Sequence, residues 1–221
     1  MAITMTATGI VFSDSTEQTT KYDTNLDQGK LVKTDAYTSV GSFTWTKPSG
    51  CTTVFVQVCG GGGGGAGHAE SGGGGGYAEK LVNVSAVSSV TVTVGGGGAA
   101  VGYYAAGADG GTSSFGAYCS ASGGYGANRH SSHTGGHGGV GASGDVNLLG
   151  GMGTGHNNNG SQECTGTGGT SYWGGPKRPG HNNSNPSNVG YGAPGSGGSG
   201  ANTGYNYSNG QPGAVIVYSY S

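Results

Sequence analysis

The chain has 221 residues, of which 54 are Gly and 6 are Pro, with 8% charged side chains and a formal net charge of −2. Glycine and proline at this level without a strict period are usual in low-complexity chains, but disordered chains stay soluble through high net charge, which is missing here. The near-neutral balance leaves no basic footprint for nucleic acid or an anionic membrane, and no apolar run approaches the ~20 residues of a membrane helix.

Residues 1–12 lack the basic and apolar regions of a secretory signal, so folding in the cytoplasm is expected. Residues 1–41 are polar and Thr-rich, with isolated apolar positions at Ile10, Phe12, Leu26, Leu31 and Val32. These are too few to bury a core, so the segment is expected to need a partner, either further copies of itself or another protein.

Regular alternation begins at Ser42. Phe43 and Trp45 share one face of 42–46, and Val54, Val56 and Val58 share one face of 53–59, with Phe55 on the other. Residues 90–94 keep the period of two, 77–84 keep it less cleanly, and 214–220 supply a last strand. Alternation of β-branched and aromatic residues is the strand signature, and no window carries the i, i+3, i+4, i+7 pattern of a helix. The class expected is all-β. Cys51, Cys59, Cys119 and Cys164 have no metal spacing and are sparse for a disulfide framework, so they read as reduced packing residues.

Residues 95–213 are about one-third Gly, yet without a fixed repeat. The glycines come in bursts, at 123–126, 135–141, 150–155, 166–169, 190–192 and 195–200, like the longer ones at 60–65 and 72–76. Polar stretches separate them, notably 127–134, 156–165 and 176–189. Backbones without side chains can approach closely, and a polyproline II strand makes no internal hydrogen bonds, so its amides and carbonyls must pair with neighbours. The expected architecture is a small β-sandwich-like strand set joined to a polyglycine (polyproline II) bundle, with the polar stretches as loops at the ends of the rods.

Few constellations carry chemistry. His130, His133 and His137 have spacing that invites a metal, but no helical face aligns them and no carboxylate or cysteine completes the set. The GHGGVG at 136–141 matches a dinucleotide fingerprint without its strand, helix or acidic residue, so no cofactor is expected. Asp109, Asp145 and Glu163 are the carboxylates of the glycine-rich stretch, and no nucleophile, base and orienting group can be assembled around them. Enzyme activity is not expected. Aromatic residues instead recur beside glycines, among them Tyr125, Tyr207 and the pair Tyr172–Trp173, which Lys177 and Arg178 follow closely. That pair joins aromatic area to positive charge and suits a sugar ring. With His181, Asn182 and Asn183, and with Arg129 and His130 in the earlier polar stretch, it forms the candidate receptor-binding set.

The order WTKPSG at 45–50, a valine strand, a glycine run, GGGGGYAEK at 72–80, VTVGGGG at 92–98, SFG at 114–116 and GAVIVYSY at 213–220 resembles the glycine-rich domain of phage tail fibre and adhesin proteins. Upstream, GIVFSDSTEQTT at 9–20 is similar to an element near the start of phage fibre proteins, with Ser15 where Gly is usual and Lys21 where Ala is common. The resemblance implies an attachment and trimerisation segment at 1–41 and a glycine-rich head at 42–221, with strands about 42–94 and 214–220 and the bundle about 95–213. It implies a homotrimer in the virion, held by other tail or baseplate proteins through the N-terminus. The head would bind a host surface polysaccharide or an outer-membrane receptor, without nucleic acid or membrane insertion. The alternative is a structural virion protein, such as a fibre connector or capsid decoration, with no receptor.

Overall fold

Side-chain alternation builds the strands of this chain, and backbone pairing alone builds the rest. The computed structural model describes residues 4–5, 10–11, 17–18, 29–67, 70–102, 105–128, 134–155, 166–176, 193–200 and 207–221. Its strands are β1 (Thr4–Met5), β2 (Ile10–Val11), β3 (Glu17–Gln18), β4 (Leu31–Tyr37), β5 (Gly41–Thr46), β6 (Thr53–Cys59), β7 (Tyr77–Asn83), β8 (Ser89–Val94), β9 (Ser113–Phe115), β10 (Cys119–Ala121), β11 (Gly141–Ala142), β12 (Val146–Leu148) and β13 (Ala214–Tyr220). The fold is all-β, with no helix among the described residues. Strands β1, β2 and β3 form a small antiparallel sheet of their own.

The ten remaining strands make two five-stranded antiparallel sheets, in the orders β11-β10-β9-β8-β5 and β12-β7-β6-β13-β4. The alternation in the sequence becomes an alternation of burial. Val54, Val56 and Val58 of β6, Val90, Val92 and Val94 of β8, and Val215 and Val217 of β13 are buried in one shared core. Trp45, without exposed surface, packs edge to face on Phe115 with ring centroids 5.7 Å apart. Full burial of each such side chain is worth roughly 1.5–3 kcal/mol, and this core is the part of the molecule that hydrophobicity stabilises.

Two features were hidden in the sequence. Residues 31–37, polar and unpromising, form the edge strand β4 along β13, from Val215 opposite Tyr37 to Tyr220 opposite Leu31. The short strands β9 to β12 lie inside the stretch expected to be glycine rods throughout. Cys51, Cys59 and Cys119 are free and buried, as packing residues should be, while Cys164 lies outside the described residues.

Strands β6, β8, β10 and β12 run toward the same end of the sheets, and there each passes into a glycine-rich segment. Ten such segments are described, at 60–66, 71–76, 95–101, 106–111, 122–127, 134–139, 150–154, 166–170, 195–200 and 208–213. Their order comes from hydrogen bonds. In 60–65, Gly60 and Gly63 donate to Gly76 and Gly73, Gly61 and Gly64 to Gly111 and Ala108, and Gly62 and Gly65 to Gln211 and Ser208. The partner segment thus recurs every third residue, which is the repeat of a helix with three residues per turn. The carbonyls repeat likewise: Gly61 and Gly64 accept from Gly124 and Ala127, Gly62 and Gly65 from Gly98 and Val101, and Gly63 from Gly198. This segment is therefore bonded on all sides, to three antiparallel neighbours through its amides and three parallel ones through its carbonyls.

Segment 71–76 follows the same rule. Ser71 and Gly74 donate to Thr154 and Gly151, Gly72 and Gly75 to Gly198 and Gly195, and Gly73 and Gly76 to Tyr125 and Ser122. Neither segment has room for side chains: a Cβ on Gly74 would collide with the Thr170 carbonyl oxygen, and one on Gly63 with that of Tyr125. The other eight segments ring these two, each bonded to the next, for example Gly110 to Gly124, Tyr125 to His137, Gly153 to Gly136, and Gly210 to Gly98. Buried amides cannot be left unpaired, and every amide of 60–65 and 71–76 has a carbonyl partner.

Candidate functional site

The glycine segments are arms whose far ends lie away from the sheets. The arms meet at that end: Gly67 donates to Val101, Gly166 to Gly200, Ala100 to the Asn209 side chain at 2.8 Å, and Asn128 Nδ2 to Thr134 Oγ1 at 2.8 Å. At the opposite pole the chain enters, with Gly29 donating to the carbonyl of Ser221 at 2.7 Å beside the start of β4. A cleft of about 560 Å³ lies at this entry pole, lined by Gly29, Thr52, Thr53, Leu81, Tyr220 and Ser221.

Tyr172 and Trp173 sit elsewhere. They are the two central residues of a tight turn in which Ser171 and Gly174 exchange backbone hydrogen bonds of 3.1 and 3.3 Å. The turn lies where the glycine layer meets the second sheet, because Tyr172 stacks on Tyr77 at the start of β7, with centroids 3.8 Å apart and planes 15° apart. Trp173 stands edge-on to the same ring at 6.0 Å. Tyr77 is itself buried, and its hydroxyl accepts from Gln57 Nε2 at 2.7 Å and donates to Glu79 Oε2 at 2.6 Å. Burial, reinforced by the Glu79 carboxylate, pushes the Tyr77 phenol well above its ordinary range.

Of the candidate set, Tyr172 and Trp173 lie among the described residues. Tyr172 and Trp173 are together at the sheet junction, and Asn128 and Thr134 mark the far end of the glycine arms. Arg129, His130, Lys177, Arg178, His181, Asn182 and Asn183 lie outside the described residues, as does His133. His137 belongs to a rim arm, where its carbonyl accepts from Tyr125. Asp109 and Asp145 each accept a backbone amide, from Gly126 at 2.8 Å and Leu81 at 2.9 Å, in different layers of the molecule; Glu163 lies outside the described residues. Tyr125 is exposed and Tyr207 partly buried.

The sequence reading missed Tyr77, Gln57 and Glu79, which hold the turn in place. The available signal was the register of β6 on β7, where Gln57 faces Glu79 and Cys59 faces Tyr77. No single-strand pattern contains that pairing.

A family model described as a glycine-rich domain matches residues 38–220. Among curated proteins none matches the chain.

Proposed function

The chain belongs to the glycine-rich domain family, and from that premise we propose that it is the distal adhesin of a bacteriophage tail fibre. It binds a host cell-surface receptor, a polysaccharide or an outer-membrane protein, and acts outside the cell as part of the virion. The reading rests on one observation, the division of the head into two poles. Gly29 bonds Ser221 beside β4 at one, and the far ends of the glycine arms meet at the other, where Gly67 bonds Val101, Gly166 bonds Gly200 and Asn128 bonds Thr134. Attachment and recognition are thereby kept apart, and a frame bonded through backbone alone tolerates any sequence in its loops. The glycine arms, as polyproline II rods, carry no specificity because their amides are chemically identical. The interrupting polar stretches supply donors, acceptors and stacking faces.

Labelled protein incubated with host cells tests the reading. Arg129→Ala with His130→Ala, and Arg178→Ala with His181→Ala, should each weaken adsorption about tenfold, or ~1.4 kcal/mol, while the melting midpoint stays put. Unchanged adsorption in both, or parent protein that binds no cell surface, would leave a structural virion role.

The N-terminal segment 1–41 joins the head into a homotrimer and holds it to other tail proteins. Its polar sequence, with few apolar residues outside β4, is the motive. Light scattering of the full chain should give three times the mass of a single chain, and a monomer would refute this.

A further inference from the structure

We infer that the Tyr172–Trp173 turn is a separate, lateral carbohydrate subsite, in which the exposed face of Tyr172 stacks on the apolar C–H face of a pyranose ring. The inference rests on the adhesin reading for its ligand class, but on different atoms from the far ends of the glycine arms.

Three observations carry it. First, a two-residue hairpin loop favours Asn-Gly, Asp-Gly or a leading Gly, and neither Tyr172 nor Trp173 has the positive φ such turns exploit. Two bulky aromatics are not what the backbone of such a turn requires, and local rules are broken chiefly at functional positions. Second, Tyr172 is held flat on one face by Tyr77 yet remains 52% exposed. A ring covered on both faces would be packing, whereas this one is fixed and half open. Its orientation is secured from below, since Gln57 and Glu79 both bond the Tyr77 hydroxyl. A flat aromatic already immobilised loses little conformational freedom on binding, which is the condition for a useful stacking platform. Third, the surroundings are mixed as a sugar requires. Leu148, 40% exposed, is aligned with Tyr77 across β12 and β7 and extends the apolar floor. Gly175, three residues after Tyr172, has nothing within 4 Å of a Cβ position.

Saturation-transfer NMR on the full chain with glucose, galactose, N-acetylglucosamine and galacturonate tests the inference and separates neutral from acidic rings. Transfer to ring C–H protons of at least one sugar is expected, lost at least fivefold in Tyr172→Leu and kept in Tyr172→Phe. Leucine retains a cover over Tyr77 without an aromatic face, so a loss cannot be ascribed to unfolding when the melting curve is unchanged. Absence of transfer to all four sugars, or equal transfer in Tyr172→Leu, overturns the inference. Adsorption to cells that survives in Tyr172→Leu then leaves the adhesin reading intact, so the two failures are distinguishable.

Discussion

The two layers of the head are ordered by opposite means. In the sheets, β6 and β8 place a valine at every second position against Trp45 and Phe115, and removal of side-chain area from water stabilises the pair. In the glycine layer the inner segments 60–65 and 71–76 bury no side chains to speak of, and the chain is held by amides and carbonyls bonded at 2.7–3.1 Å to surrounding segments. A net ~0.5–1.5 kcal/mol per hydrogen bond must offset the large backbone entropy that glycine loses on ordering. The lesson is that specificity in the sheets comes from which side chain is present, and in the glycine layer from the absence of any.

The largest effect should come from adding one carbon to the inner layer. Gly63→Ala drives a Cβ into the Tyr125 carbonyl, and Gly74→Ala drives one into the Thr170 carbonyl. Neither obstacle is a flexible side chain, so each should cost at least ~3 kcal/mol, the upper end for overpacking, or prevent folding. The rim supplies the control. A Cβ on Gly96 meets only Val40, at 3.6 Å, an ordinary contact. Gly96→Ala should be neutral or stabilise by up to ~1 kcal/mol through the unfolded chain. Val56→Ala in the sheets should fall between them, at about 1.6 kcal/mol for two lost methylene equivalents plus a cavity cost. Thermal melting of the four variants orders them. Equal melting of Gly63→Ala and Gly96→Ala would mean that the inner segments yield, and the contrast between layers would fail.

Much of the sheet layer was legible because alternation is a local signal. Strands β5, β6, β8 and β13 follow from Phe43, Trp45, the valines and the closing aromatic run, each readable within seven residues. Strand β4 was not, because Lys33, Thr34 and Asp35 look like a polar loop. The edge position explains them: Lys33 pairs with Asp35 at 2.8 Å, and charges on an edge strand discourage pairing with other chains. That the glycine bursts need neighbours followed from backbone chemistry. Which segment would be central did not, since 60–65 and 195–200 read alike while their surroundings are set by where β6 and β13 lie. The site was legible only in part for the same reason. Tyr172 and Trp173 stood out as aromatic area, but their platform is made by Tyr77, almost a hundred residues earlier in the chain.

A smaller effect separates the layers by pH. The sheet side contains two thiols whose proton affinity is raised: burial pushes Cys59 up to about 12 and Cys119 up to about 11. In the unfolded chain both would ionise near the ordinary thiol value, ~8.5. Below that value both states hold the proton and the folded chain keeps its full stability. As pH rises beyond it, the unfolded state sheds protons that the folded state retains, so it binds fewer, and stability falls with pH until the folded thiols also ionise. The raised Tyr77 phenol adds to the same trend from about pH 10 upward. The decline is therefore expected between about pH 9 and 11, with a slope of at most ~1.4 kcal/mol per pH unit for each thiol. Urea midpoints at pH 7.5, 9 and 10.5 measure it. Cys59→Ala together with Cys119→Ala should flatten the profile across that window, whatever the pair costs at pH 7.5. If the double variant loses midpoint as steeply as the parent between pH 9 and 10.5, the alkaline sensitivity does not come from the thiols of the sheets, and the two layers are not distinguished by their buried titratable groups.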